Sequence, residues 1–362
     1  MQTSDIVPLL KETYQEWSED KAPRLAAALA YYTIFSIAPL LVIVIAIAGL
    51  ALGDDAARGA ISQQIQGLVG RTGAEAIEQM IQGASQREAG IVATVIGVVT
   101  LLFGASGVFG ALQDALNTIW EVAPRPGMGW VETVKQRFFS FTMVLGTGFL
   151  LLVSLVVSAV LAGVVKYFQG ALPGADVLWQ VVNFAVGLAV TTLLFALIFK
   201  VVPDAEVGWG DVWIGAAATA LLFSIGRLLL GLYLGQSSFG STYGAAGSLV
   251  VVLIWIYYSA QILFMGAEFT QVYANSYGSH VKPAPNAVPL SDAKRAQEGI
   301  PRTAHVEALA EREFGGAERQ AGGADHRPEE PASPSAAEHG PVSTGLAGFI
   351  AGVLVGMRRR RR

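Results

Sequence analysis

Uncharged apolar runs alternate with short polar connections along most of this chain. No Asp, Glu, Lys or Arg occurs in Leu25–Gly53, Ala89–Gln113, Phe138–Val165, Val177–Phe199 or Val212–Gly226. After Arg227, the next charge is Glu268. About 20 apolar residues cross the hydrocarbon core as a helix, and the last run has room for the end of one span, a turn and another span. The pattern predicts an all-α fold: a polytopic six-helix transmembrane bundle with a disordered C-terminal tail. The expected spans are 29–52, 90–112, 138–162, 178–199, 212–234 and 248–270, within a membrane domain of residues 25–280.

The connections carry their own patterns. In residues 1–24, Ile6, Leu10, Tyr14 and Trp17 recur at helical spacing between Lys11, Glu12, Gln15 and Glu16. This predicts an amphipathic cytoplasmic helix, packed on the bundle or lying among headgroups. In the 54–88 loop, Ile61, Ile65 and Leu68 share one helical face and Ile77, Ile81 and Ala84 another. Two short helices joined at Gly70–Gly73 are expected on the extracytoplasmic side, as a structured cap or a gate. The Gly235–Gly247 run reads as an outer loop or a re-entrant segment, since irregular backbone at membrane depth needs protein or water beside it.

Lys11, Lys21 and Arg24 flank the first span, and Arg125, Lys135 and Arg137 the second and third. The 235–247 connection has no Lys or Arg. Positive charge is favoured inside, so both ends of the six-span core are expected in the cytoplasm, in a bacterial inner membrane. The early charges before a long first run read as a retained helix rather than a cleaved signal.

Composition shifts at residue 283. Pro, Ala, Gly, Glu and Arg dominate residues 283–341, so a disordered linker is expected, with a transient helix near 303–314. Residues 342–362 form a short apolar segment with Gly348, Gly352 and Gly356, ending in five Arg. Its apolar part rises about 24 Å as a helix, short of a ~30 Å core. It reads as interfacial or re-entrant, or as a seventh span; its glycine spacing also permits self-association into a homo-oligomer.

Only 14% of the residues are charged and the net charge is −4. No broad basic surface of the kind nucleic-acid binders carry is present. The chain has no cysteine, which excludes thiol nucleophiles and Cys-based metal sites. No P-loop motif occurs. Catalytic, cofactor and metal residues are therefore expected to be none, and the chain is not expected to be an enzyme.

Polar groups within apolar runs are candidates for function. Arg227 reads as a snorkelling side chain or as a fixed charge lining a cavity. Glu268, Gln113, Asp114, Asn117 and Arg24 fall near one end of their spans. They are expected to form one polar cluster, as a lock between helix ends or a substrate or proton path. Tyr31, Tyr32, Ser36, Tyr257, Tyr258 and Gln261 are candidates to line the space between spans one and six. Pro39 is expected to kink span one, with Ser36 compensating the lost backbone bond.

Three segments carry a resemblance: Leu25–Leu41 with Pro39; Gly104–Trp120 with Asp114 and Asn117; and Val202-Pro-Asp204, Gly240–Gly247, Trp255–Tyr258 and Gly266-Ala-Glu268. Together they resemble the BrkB/YihY family of bacterial inner-membrane proteins, once labelled ribonuclease BN. The resemblance covers roughly residues 10–275. It implies a six-helix integral membrane protein without a settled activity, discussed as a transporter or a serum-resistance factor. The nuclease label does not suit this chain. A metal-dependent nuclease needs a close His/Asp set, and the four histidines, His280, His305, His326 and His339, are scattered. A transporter- or flippase-like protein for a small solute or lipid is expected, with a non-transporting scaffold as the alternative.

Overall fold

The computed structural model describes residues 5–85, 107–126, 176–236 and 245–311. Span three, most of span two, and the 342–362 segment lie outside the described residues. Residues 1–307 form one compact unit and 308–362 another, of which only residues up to 311 are described.

The helices are α1 (Ile6–Glu19), α2 (Ala22–Leu52), α3 (Asp54–Ser85), α4 (107–119), α5 (Asp176–Val201), α6 (Trp209–Gln236), α7 (Ala245–Tyr277) and α8 (Asp292–Gln297). The short strands are β1 (Val122–Pro124), β2 (Ala205–Glu206), β3 (Lys282–Pro283) and β4 (Ala287–Pro289). The described residues are thus mostly helical, with two small ladders among them that an all-α reading omits. Gln180–Val201, Trp209–Leu232 and Leu249–Tyr277 are long and apolar enough to cross a membrane. They match the expected spans four, five and six.

A membrane solvent explains their surfaces. On α6, Leu221, Leu222, Ile225, Leu228, Leu229 and Leu232 are exposed, an apolar face suited to lipid. The opposite face packs α6 against α7 through small residues. A Cβ built on Gly215 would lie 2.6 Å from Thr270 Cβ, and one on Gly266 2.6 Å from Thr219 Cγ2. Thr219 Oγ1 donates to Gly215 O and Thr270 Oγ1 to Gly266 O. Each helix thus presents Gly-x-x-x-Thr, and the antiparallel pair interlocks glycine against threonine. The same seam runs on to Gly226 under Tyr258 and Asp211 against Gly278.

α2 and α3 form a hairpin about Gly53, whose φ of +85° suits glycine. Ile45 and Ile61 stand eight residues either side of it. These two join Ala30, Ile34, Ile77 and Ile81, with Val252 and Ile256 of α7, in one apolar cluster. α3 is one continuous helix, not two short helices broken at Gly70–Gly73. Interior glycine weakens a helix by only about 1 kcal/mol, and packing against α2 and α7 offsets it. α2 likewise runs through position 39 without interruption.

α1 packs on α7. Its buried residues are Leu9, Thr13 and Trp17, whereas Ile6, Val7, Leu10 and Tyr14 are exposed. Of the expected Ile6–Leu10–Tyr14–Trp17 line only Trp17 is buried, so the buried face is rotated toward Leu9 and Thr13. The exposed apolar face remains free to meet headgroups.

The disordered linker expected from residue 283 starts too early. β3 pairs with β2 (Ala205↔Pro283) and β4 with β1 (Ala123↔Val288). Ala287, Arg295 and Ile300 are buried, and residues 303–311 are helical. Composition averaged over the whole tail hides these few anchors. The prolines sit in short, two-stranded ladders where a missing N–H is tolerated.

Candidate functional site

Two polar assemblies occupy the end of the bundle where α1 turns into α2. The first is a cleft of about 660 Å³ between α2, α4, β1 and α8. Arg24, Tyr32, Asp114 and Asn117 line it from the helices, and Lys294, Glu298 and Ile300 from the segment after α7. Gly107 lets α4 approach the Tyr32 ring, 3.2 Å from where a Cβ would stand. Arg24 Nη2 donates to Glu298 O at 3.1 Å, and Lys294 Nζ lies 3.9 Å from Glu298 Oε1. The cleft thus carries both signs of charge. Burial, then the carboxylates of Glu298 and Asp204, push the Asp114 carboxyl above its ordinary range, with Lys294 opposing.

Asp204 anchors the floor beside it. Its carboxylate accepts from Asn117 Nδ2 (2.9 Å), Gln113 Nε2 (3.1 Å) and Asn286 Nδ2 (2.8 Å). Its backbone N–H donates to Asn117 Oδ1, and its carbonyl accepts from Ala284 N. Asn117 therefore serves the lock between helix end and connection while also facing the cleft.

The second assembly is a buried charge cluster. Arg295 Nη2 donates to Asp20 Oδ1, with both side chains almost wholly buried. Glu268, 1% exposed, lies within electrostatic reach of Asp20, Glu16 and Arg295. Burial raises the Asp20 carboxyl to about 6, outweighing the attraction of Arg295; burial also raises Glu16. Among the described residues, Glu268 Oε1 and Arg295 Nε and Nη1 are buried without a hydrogen-bond partner. Arg302, nearer the rim, pairs with Glu121.

The single cluster expected from sequence is therefore two. Arg24, Asp114 and Asn117 meet at the cleft, and Gln113 turns to Asp204. Glu268 joins Asp20 and Arg295 instead, because its position on α7 faces α1 rather than α4. Tyr31 is 60% exposed, edge-on to Phe35, and Tyr257 is also exposed, so neither lines a space between spans one and six. Ser36 is buried and donates to Tyr32 O at 2.9 Å, not to the Phe35 carbonyl that a proline at position 39 leaves free. Gln261 is buried with its Oε1 unpartnered among the described residues. Arg227 is exposed on the apolar face of α6, as a snorkelling side chain would be. It stands turns away from Glu268, since Gly226 meets Tyr258. Asp20 and Arg295 were not among the sequence candidates: Asp20 is one of several charges before the first apolar run, and Arg295 lies in the segment whose composition read as linker. Asp204 carried a signal, the Val202-Pro-Asp204 motif.

Comparison with known proteins agrees with this architecture. Residues 13–291 match the family described as virulence factor BrkB. The chain belongs to the BrkB family. A UPF0761 membrane protein of Pseudomonas aeruginosa strain UCBPP-PA14 is 30% identical over 254 residues, covering 68% of this chain and 58% of the relative. One from Methylibium petroleiphilum is 29% identical over 293 residues, covering 79% of this chain and 67% of the relative. The matched part of this BrkB chain spans less than two-thirds of the Pseudomonas relatives' length. No solved structure matches. The family match and the apolar helices make this chain an integral membrane protein. The names of these relatives assign no enzymatic activity.

Proposed function

We propose that this BrkB-family chain is a transporter- or flippase-like protein of the bacterial inner membrane, and that the cleft between α2, α4 and α8 is its solute site. The supporting observation is a cavity of about 660 Å³ whose lining sets Arg24 and Lys294 against Asp114 and Glu298. Small-ligand sites commonly occupy clefts of 300–1,000 Å³ with a few convergent polar groups. Both charge signs favour a zwitterionic or amphiphilic polar solute. The Lys/Arg bias favours a cytoplasmic cleft mouth. With no P-loop in the sequence, coupling would use a gradient, a partner or passive flow.

The test is flux into proteoliposomes holding the full chain, across zwitterions, anions and fluorescent lipids. Asp114→Asn and Arg24→Gln should each reduce flux at least tenfold, whereas Arg227→Gln should leave it within twofold. Absence of flux for every solute, from folded protein in defined orientation, would refute the reading and favour a scaffold that acts through partners.

A further inference from the structure

We propose that the cleft takes one phospholipid-like amphiphile: a zwitterionic headgroup with a primary ammonium lies among the charged side chains, and an acyl chain lies in the groove between α2 and α4. That occupant rests on the cleft being the solute site. The order of the lining along the two helices selects it. Arg24 stands at the charged end, followed on one face of α2 by Leu25, Ala28 and Tyr32. On α4, Asp114 lines the charged end, and Ala111, Gly110 and Gly107 lead away from it on one face. The two stripes run antiparallel. Gly107 meets the Tyr32 ring at the far end. At the near end Glu298 accepts from Arg24 through its carbonyl and presses on Asp114 through its carboxylate.

The far limb is apolar and open. From Arg24 to Tyr32 the helix rises about 12 Å, and from Asp114 to Gly107 about 10 Å. All four charged side chains of the lining, Arg24, Asp114, Lys294 and Glu298, belong to the near end. Val122 of β1 and Ile300, both buried, close the cleft beyond them. Among the described residues nothing lies within 4 Å of a Cβ built on Gly110, so the groove floor is unfilled there. Ala28 and Tyr32 are exposed, which leaves the limb open along its flank. A small soluble zwitterion makes no use of such a limb; an alkyl chain does, because each methylene gains by leaving water.

The charges specify the headgroup. Arg24 and Lys294 balance Asp114 and Glu298, so a neutral zwitterion suits them better than a net anion. Arg24 uses one donor on Glu298 O and keeps others for a phosphate. Lys294 and Glu298, 3.9 Å apart and exposed, form a loose pair that can exchange for ligand contacts. The Asp114 carboxylate accepts no hydrogen bond among the described residues, and the carboxylates of Glu298 and Asp204 press on it, which an incoming ammonium relieves. That ammonium is primary. Quaternary groups are recognised by aromatic faces, and the one aromatic in the described lining, Tyr32, stands at the far end.

The test is photocrosslinking of the full chain in phosphatidylcholine nanodiscs, using phosphatidylethanolamine with a diazirine on its acyl chain. Labelled peptides should fall within residues 25–32 and 107–111, and labelling should exceed that from matched phosphatidylcholine or phosphatidylglycerol probes. Gly110→Leu and, from the opposite wall, Ala28→Phe fill the limb. Each should lower labelling by about tenfold, the effect of roughly two methylene groups leaving an apolar site. Asp114→Asn should erase the preference for the ethanolamine headgroup. Labelling spread evenly over the apolar helices, or unchanged in both filled variants, overturns the proposal. Full competition by water-soluble glycerophosphoethanolamine overturns it too, and leaves the transport reading standing with a free zwitterion as solute. Lipid held in the groove but never moved across the bilayer would sink the transport reading alone.

Discussion

Gly266→Ala should break the close α6–α7 seam. The new Cβ would stand 2.6 Å from Thr219 Cγ2 and 2.7 Å from Thr219 Cβ. Ordinary carbon contacts begin about 3.4 Å apart, so α6 and α7 must part by nearly 1 Å. Thr219 cannot swing away, because its Cβ is itself in the clash and its Oγ1 is tied to Gly215 O. A gap of 0.5–1 Å forfeits a quarter to a half of each contact along the seam. Together with overpacking strain, the loss should reach about 2–3 kcal/mol. The assay is thermal unfolding in detergent, followed by tryptophan fluorescence and size-exclusion chromatography. Gly231→Ala on α6 is the control: nothing lies within 4 Å of its would-be Cβ, and alanine improves helix propensity. Thr219→Gly should recover part of the loss in the Gly266→Ala background; Thr219→Ser, which keeps Cβ, should not. Equal stability of Gly266→Ala and Gly231→Ala would refute the interlock.

Two further outcomes are expected. Asp204→Ala leaves donors on Gln113, Asn117 and Asn286 without their acceptor, and should destabilise by about 2–5 kcal/mol; faster hydrogen exchange in residues 282–289, without equal change in α6, is the readout. Arg295→Gln should cost about 3–5 kcal/mol because it leaves buried carboxylates uncompensated, whereas Arg302→Gln removes a partly exposed pair with Glu121 and should cost under about 1 kcal/mol; denaturation that ranks them in the reverse order would contradict the burial argument.

Sequence reading located the long apolar elements well because membrane burial is a property of each segment alone. The expected spans 178–199, 212–234 and 248–270 lie within α5, α6 and α7, whose ends extend two to seven residues beyond them. It failed where a few contacts outvote composition. Residues 283–300 read as linker, yet Arg295, Ala287 and Ile300 fasten them to the core. Gly70 and Gly73 read as a break, yet α3 continues through them. At the site, Arg24, Asp114 and Asn117 were legible as polar groups near span ends, but their division from Glu268 was not.

The sequence by itself determined the membrane solvent and the family, because ~20-residue apolar periods and local motifs need no partner to be read. Tertiary structure alone decided which helix faces meet. The α6–α7 seam depends on two Gly-x-x-x-Thr segments fifty residues apart arriving antiparallel in register. The pairing of Asp20 with Arg295 joins residues 275 positions apart. No local pattern encodes such pairings; they follow from where the packed helices and the returning segment bring charges that cannot remain buried alone.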